Sequence, residues 1–253
     1  MKSDQMNCIC THSEEKTFGG WPGVKKGSKG QQRSHFRKNI RDRLIFCRYR
    51  DWTAEDWGKV IFSDESPFRL FGESGKKLVR RRQGQRYHQS CVMPTVMHAE
   101  TIHVWGGFSA KGVGSLIILP KNTAMNKEWY QHILQEQLLP TIQEQFGDQQ
   151  CLFQHDGAPF HKAKVITKWL GEQNIDILGP WPGNSLDLNP IESLWSILNR
   201  RVDKQKPTNS DKLQALIMQE WAAISQDVAQ KLIDSMPGWI AEVLKKKGQH
   251  CKY

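Results

Sequence analysis

The chain has 253 residues, 38% of them hydrophobic, which is enough to bury a core and excludes a wholly disordered protein. No apolar run approaches the ~20 residues that a membrane-spanning helix needs, and the N-terminus lacks the apolar segment of a secretory signal, so we expect a soluble intracellular protein with no membrane partner. The formal net charge is +10, and residues 1–50 hold 12 Lys and Arg against 4 Asp and Glu. This basic N-terminal segment indicates a polyanionic partner, of which nucleic acid is the first candidate. The alternative is that the segment is a solvated tail without a partner.

The first half of the chain predicts an irregular start, one helix and a series of short strands. Glycine-rich breaks make residues 1–32 irregular. Residues 33–50 are predicted to form a helix because apolar side chains recur every three or four positions there. Strands are predicted at 60–62, 68–71, 77–81, 101–109 and 114–120, with the 101–109 strand ended by its glycine pair. Strands joined so closely favour antiparallel pairing.

The second half alternates between helices and short strands. A helix is predicted from Asn126 to about Gln145, capped by Asn126 and kinked at Pro140. Strands at 151–156 and 175–178 alternate with helices at 162–173 and from Pro190 to about Lys204, and further helices follow near 211–224 and 226–246. This order predicts a mixed sheet with helices packed on it. It fits an RNase H-like domain, although many other α/β folds fit as well.

Two aspartates stand where predicted strands end. Asp64 follows the apolar run Val60–Phe62, and Asp156 follows 151–155 and precedes a Gly-Ala-Pro stop. An acid in this position has a backbone fixed by the strand and a side chain open to solvent, which suits a functional role. Taken alone, each is more simply a turn-forming aspartate, because aspartates often end strands.

A third acid, Glu192, stands at a predicted helix start. We assign Asn189 as the N-cap, Pro190 as the first helical residue and Glu192 as the third. Glutamate at this position completes a capping box, and the positive end of the helix keeps it ionised, which also suits a metal ligand. Asp187, in the loop before the helix, is interpreted as a turn residue.

The neighbours of the two aspartates are weighed as further candidates. Strand alternation places Glu65 on the face opposite Asp64. His155 and His161 flank Asp156 and are expected to orient its loop, with contact to DNA or to a metal-bound water as the alternative.

Asp64, Asp156 and Glu192, on two strands and one helix, could together bind hard divalent cations. Mg²⁺ takes oxygen ligands and usually retains waters. Two such ions about 3.5–4 Å apart could clamp the attacking and leaving oxygens of a phosphoryl transfer. This pattern favours phosphodiester hydrolysis or strand transfer.

A resemblance to a known family is carried by the strings VIFSDESPFRLFG, FQHDGAPFHKA, WPGNSLDLNPIESLW and the final KKKGQHCKY. Together they resemble transposases of the Tc/mariner superfamily, from about Arg41 to Tyr253. The resemblance implies an RNase H-like, DDE-type catalytic domain whose triad is Asp64, Asp156 and Glu192. It also implies cut-and-paste DNA transposition at a two-metal site for Mg²⁺ or Mn²⁺, in which hydrolysis at the element ends precedes attack of a 3′-hydroxyl on target DNA.

The resemblance also divides the chain into four segments. They are an irregular basic segment (1–32), a linker helix region (33–57), the RNase H-like DDE catalytic domain (58–205) and C-terminal helices that pack on it (206–253). Family members recognise inverted repeats through two N-terminal helix-turn-helix modules, for which the segment before the match is too short, so recognition of the ends is in doubt. DNA is the expected partner, together with a homo-oligomer on paired DNA ends and residence in the nucleus.

Two alternatives stay open at this point. The chain could be a truncated or domesticated transposase-derived nucleic-acid-binding protein without transposition activity. It could also be an unrelated RNase H-like nuclease that acts on RNA–DNA hybrids, although the strings LNPIE and GQHCKY argue against this.

Overall fold

The structure is a computed structural model that describes residues 29–70, 100–121, 123 and 125–251, with side chains from Phe36 onward. The strands are β1 Val60–Arg69, β2 Thr101–Ser109, β3 Gly112–Ile118, β4 Leu152–Gln154 and β5 Asp176–Ile177. Within the described residues they form one sheet in the order β3-β2-β1-β4-β5. β2 lies antiparallel to β1 and β3, whereas β4 lies parallel to β1 and β5. The predicted mixed sheet, antiparallel first and α/β afterwards, is therefore confirmed.

Helices pack on both faces of this sheet. They are α1 Lys29–Phe46, α2 Ala54–Gly58, α3 Lys127–Ile133, α4 Leu139–Gln145, α5 Lys164–Glu172, α6 Pro190–Gln205, α7 Ser210–Ala222, α8 Gln226–Asp234 and α9 Met236–Lys245. Alternate residues of β1 face opposite layers: Val60 and Phe62 pack with α6 to α9, whereas Ile61 packs with α3 and α5. In the part of the chain that is described, no helix combines the length and apolar character needed to cross a membrane.

Two strand predictions are wrong in detail. The strands predicted at 60–62 and 68–71 are one strand, β1, because β2 supplies pairing partners along it as far as Arg69. The 101–109 strand does not end at its glycine pair, since Gly106 and Gly107 both remain in the ladder with β1. The strand predicted at 77–81 falls outside the described residues.

Two helix boundaries also differ from the predictions. α1 begins at Lys29, so residues 29–32, predicted to be irregular, are helical. Residues 226–246 form two helices instead of one. The reason is Pro237 in the first turn of α9, which has no N–H to continue the hydrogen-bond ladder of α8.

The helix predicted from Asn126 to about Gln145 is interrupted. Asn126 caps α3 as predicted, since its Oδ1 accepts the N–H of Trp129 at 2.8 Å. A π turn over Leu134–Leu138 separates α3 from α4, and Pro140 lies in the first turn of α4. The proline cannot donate to the preceding turn, so the ladder shifts register there.

The C-terminal helices share one core with the sheet. Buried side chains of α7, α8 and α9 belong to the same apolar cluster as Phe62 of β1 and Leu194 of α6. They are Leu213, Ile217, Ile233, Ile240 and Val243. The boundaries of the four predicted segments stay predictions.

Candidate active site

Asp64 lies inside β1. The prediction that it follows the end of a strand is therefore wrong. β1 continues past it to Arg69, since β2 pairs with it on one side. On the other side β4 pairs with β1 only from Val60 to Phe62 before the chain leaves the sheet. The β1 edge beside Asp64 therefore has no strand partner among the described residues. Asp156, which follows β4, lies close enough for its charge to act on Asp64.

The carboxyl group of Asp64 is held by two donors and surrounded by other acids. Its Oδ1 accepts the N–H of Glu65 at 2.8 Å, and its Oδ2 accepts Nδ2 of Asn189 at 3.4 Å. Burial raises the pKa of Asp64 to about 8, and neighbouring negative charges add to this effect. These charges belong to Glu65, Glu192 and Asp156. Without a bound cation, burial and charge repulsion therefore both favour the protonated form of Asp64.

Helix α6 brings Glu192 to Asp64. The helix begins at Pro190 as predicted, because the residue before a proline is held extended and Asn189 has φ −95° and ψ 108°. The predicted capping box is wrong: the side chain of Asn189 makes no cap and bonds to Asp64 instead. Burial raises the pKa of Glu192 above its ordinary value, despite a hydrogen bond from the Asp64 carboxyl group. The pKa is therefore raised on both of these neighbouring acids.

Asp156 is held by a histidine from its own loop. Its Oδ1 accepts the N–H of Ala158 at 2.8 Å and bonds to Nδ1 of His161 at 2.6 Å. Burial alone would raise the pKa of Asp156, but these two bonds outweigh it and hold the pKa below its ordinary value. The Nε2 atom of His161 lies 3.3 Å from Oε1 of Glu65. Glu65 thus supports the site, which strand alternation from Asp64 did not predict.

His161 is the positive centre of this network. Burial lowers its pKa, but the bonds to Asp156 and Glu65 raise it to about 9. Both ring nitrogens are engaged, so His161 orients the loop, which is the first of the two roles predicted for it. Burial and the charge of His161 lower the pKa of His155 to about 4, and the neutral His155 ring bonds through Nδ1 to the hydroxyl of Tyr130 at 3.0 Å.

The acids suit a divalent cation. Among the described residues, no group of three or more His, Cys, Asp or Glu has the arrangement of a formed metal site. The donors are nevertheless all carboxylate oxygens, which Mg²⁺ and Mn²⁺ prefer. The negative charge of Glu192 raises the pKa of Asp64, and a nearby cation would relieve this repulsion.

Sequence reasoning named the three acids but did not assign the roles of three groups around them. Asn189 was assigned to the helix cap, His161 was one of two equal candidates, and Glu65 was placed on the face opposite Asp64 with no role in the site. The signal available for His161 was its position five residues after Asp156, on the far side of a Pro-Phe step. No local signal connects Asn189 to Asp64, since the two are 125 residues apart in sequence.

Comparison with known proteins gives the family. The profile of the family described as DDE superfamily endonuclease matches residues 59–214. The Tc1 transposable-element transposase of Caenorhabditis elegans is 34% identical over 219 residues, which cover 86% of this chain and 79% of the relative. The Tcb2 transposase of Caenorhabditis briggsae is likewise 34% identical, with the same coverage.

A solved structure gives the fold. The Mos1 transposase in its paired-end complex with the left transposon end superposes with a TM-score of 0.71 at 18% identity, covering 94% of this chain and 68% of that one. At this identity the likeness shows the fold alone, and the mixed sheet flanked by helices is the predicted RNase H-like fold. The profile and the relatives together place the chain in the DDE superfamily of endonucleases and, within it, among the Tc/mariner transposases.

Proposed function

We propose that this chain cleaves and joins DNA with divalent metal ions, and that Asp64, Asp156 and Glu192 are its metal-binding catalytic residues. The observation that carries the proposal is the meeting of three acids from β1, the loop after β4 and α6 in one partly buried cluster. Membership of an endonuclease family supports a catalytic role for such a cluster. The negative charges of Glu192 and Asp156 raise the pKa of Asp64, a repulsion that costs stability and that a bound cation would relieve.

The chain's own residues have separable tasks at this site. Asp64 and Glu192, whose pKa values are raised in the metal-free protein, would be deprotonated when they bind Mg²⁺ or Mn²⁺. His161 keeps Asp156 ionised and oriented, and Asn189 orients Asp64. Bound there, the ions would stabilise negative charge on the phosphate oxygens of the DNA. A Mos1 paired-end complex of similar fold was solved with Mg, which supports this choice of ion.

DNA is the proposed partner, and α1 offers a basic surface for it. Its residues Arg37, Lys38 and Arg41 are exposed, whereas Arg43 is buried. Changing the three exposed residues to Gln should reduce the slope of log affinity against log salt by about two to three, because each phosphate contact contributes about 0.9. A control variant removes the same charge from other helices at Lys127, Lys168 and Lys231. Equal salt slopes for the two variants would show that DNA does not bind at the exposed basic residues of α1.

Assembly and location follow from the proposed activity. The Mos1 relatives of this fold were solved as paired-end complexes, so we expect this chain to form a homo-oligomer on paired DNA ends. Light scattering of the protein with and without end-containing DNA would measure this. Because the substrate is chromosomal DNA, we also expect residence in the nucleus, which imaging of a fluorescent fusion would test.

The catalytic proposal is tested with the purified chain, plasmid DNA and Mn²⁺. Glu192→Gln keeps the shape of the side chain and removes its charge, and Asp156→Asn does the same. Each should lower the nicking rate at least about 100-fold, since even changes to groups behind metal ligands cost 10–100-fold. Glu172→Gln, at an exposed ion pair with Lys168, is the matched control and should cleave normally.

Two outcomes would overturn the proposal. If both site variants nick DNA at the wild-type rate, the three acids are not the catalytic residues. If the folded wild-type chain nicks no DNA with either Mn²⁺ or Mg²⁺, the chain is not an endonuclease by itself.

A further inference from the structure

A buried arginine connects α1 to two distant parts of the chain. The side chain of Arg43 is 2% exposed, and it forms a two-pronged ion pair with Asp187. Its Nη1 donates to Oδ1 at 2.6 Å and its Nη2 to Oδ2 at 2.7 Å. Its Nε also donates to the carbonyl oxygen of Gly248 at 2.9 Å, and Nη2 to that of Gln249 at 3.2 Å. Such charge-assisted, paired bonds fix both distance and orientation.

Asp187 receives a second set of bonds from the C-terminal segment. Its Oδ2 accepts the N–H of Cys251 at 2.8 Å, and Nδ1 of the exposed His250 lies 3.2 Å from Oδ1. Burial raises the pKa of Asp187, but the bonds from Arg43 and Cys251 outweigh it and hold the pKa below its ordinary value. The carboxylate is therefore charged and saturated with donors.

The C-terminal segment reaches this position because of a glycine. Gly248 has φ +81°, a backbone conformation that other residues rarely adopt. A Cβ atom there would lie 2.8 Å from the carbonyl oxygen of Ile40 and 2.9 Å from its side chain. The segment after α9 thus lies directly against α1, and only glycine permits both the turn and the contact.

Asp187 stands at the start of the catalytic helix. It lies in a 3₁₀ turn, Leu186–Leu188, whose next residue is Asn189, the donor to Asp64. The turn has one apolar anchor, the fully buried Leu188, since the side chain of Leu186 is 66% exposed. The ion pair to Arg43 is therefore a directional restraint on the backbone that leads into α6.

We propose that the Arg43–Asp187 ion pair is a positioning device through which α1 and the C-terminal segment set the placement of Asn189 and Glu192 relative to Asp64. A buried ion pair adds little stability beyond that of well-packed apolar side chains of the same size, so its particular contribution is orientation. The catalytic part of this inference depends on the proposed function. The structural part, that the pair orders residues 186–192, does not.

The test separates orientation from stability with two variants. Asp187→Asn turns one acceptor oxygen into a donor that faces the N–H groups of Arg43 and Cys251. The double variant Arg43→Met, Asp187→Leu replaces the pair with apolar side chains, so that neither charge is left buried without its partner. Amide exchange by mass spectrometry, DNA cleavage and thermal melting are measured on both. Glu172→Gln, at an exposed ion pair on α5, is the control.

Both variants should lose order at the start of α6. Amide exchange in 186–192 is expected to rise about tenfold, with exchange in β1 unchanged. The maximal cleavage rate should fall about 10- to 100-fold at an unchanged KM for DNA, as for other groups that orient metal ligands. The double variant should show both defects even where its melting temperature equals that of the wild type.

Two results would overturn the inference. The first is unchanged exchange in 186–192 in the double variant, which would show that the pair does not order the turn. The second is normal cleavage by a double variant whose turn exchanges faster, which would show that the order does not matter for catalysis. If Asp187→Asn does not fold, the double variant alone decides. If the wild type cleaves no DNA, the proposed function fails, and the exchange data still judge the ion pair.

Discussion

Gly106 of β2 makes room for two tryptophans, and replacing it should destabilise the protein measurably. The residue lies opposite Asp64 in the β1–β2 ladder. A Cβ atom at this position would stand 2.9 Å from Cη2 of Trp195, 3.0 Å from Cη2 of Trp221 and 3.1 Å from Cδ1 of Leu116. Carbon atoms in contact normally lie about 3.5–4.0 Å apart. Three buried groups would therefore have to move by about half an ångström.

The tryptophans have little freedom to move. Their rings stack with centroids 5.1 Å apart, and the two residues are 2% and 4% exposed. Trp221 also donates its Nε1–H to the carbonyl oxygen of Gly114 at 2.8 Å. Overpacking of this kind costs about 1–3 kcal/mol, from which the lower chain entropy of alanine in the unfolded state recovers about 0.4–1 kcal/mol. With middle values of both ranges, we expect Gly106→Ala to lower the free energy of unfolding by about 1–2 kcal/mol.

Urea unfolding followed by tryptophan fluorescence would measure this loss. The melting temperature should fall by about 2–8 °C, given about 2–4 °C per kcal/mol for a domain of this size. Gly107→Ala is the matched control: its Cβ would meet the carbonyl oxygen of Phe62 at 3.4 Å, an ordinary contact, so it should change stability by less than about 1 kcal/mol. Equal losses from both variants, or no loss from Gly106→Ala, would refute the steric reasoning.

Three further predictions concern the helix caps, the acids and the DNA. Asn126→Ala should cost about 0.5–2 kcal/mol in urea unfolding because it removes the bond to the first turn of α3, whereas Ser225→Ala, at a cap without a side-chain bond, should cost clearly less. The pKa of Asp64 is raised from 3.8 to about 8, so between these pH values the folded metal-free protein holds a proton that the unfolded chain releases. The melting temperature of the wild type should therefore fall as the pH rises between those values, and Asp64→Asn should flatten this fall. An equally steep fall in the variant would contradict the pKa shift. The amine of Lys162 lies beside Gly157, the residue after Asp156, since a Cβ atom on Gly157 would be 2.8 Å from it. Lys162→Gln should therefore lower the salt slope of DNA affinity by about one, whereas Lys168→Gln, whose lysine pairs with the surface acid Glu172, should not. Equal slopes for the two variants would exclude Lys162 as a phosphate contact.

Much of the fold could be predicted because its signals are local. Asn126 predicts the start of α3 because its side chain can cap the first turn, and Pro190 predicts the start of α6 because proline suits the first helical position. The errors occurred where a distant partner decides the outcome. The sequence predicts that the strand ends at Gly106, but β1 continues to pair through this position. The tryptophans of α6 and α7 occupy the space that a side chain at Gly106 would fill.

The candidate site divides in the same way. Asp64, Asp156 and Glu192 could be named from strand and helix positions and from strings that resemble a family. Their protonation could not, because the pKa of Asp64 depends on burial and on charges from other elements.

The amino-acid sequence by itself determined the order of the elements and the family and named the candidate acids, since each of these rests on residue types within a few positions of one another. Only the tertiary structure decided which side chains serve those acids. Asn189 bonds to Asp64 across 125 residues, and Arg43 reaches Asp187 across 144. Contacts over such separations arise from sheet register and packing together, and no local pattern in the chain encodes them.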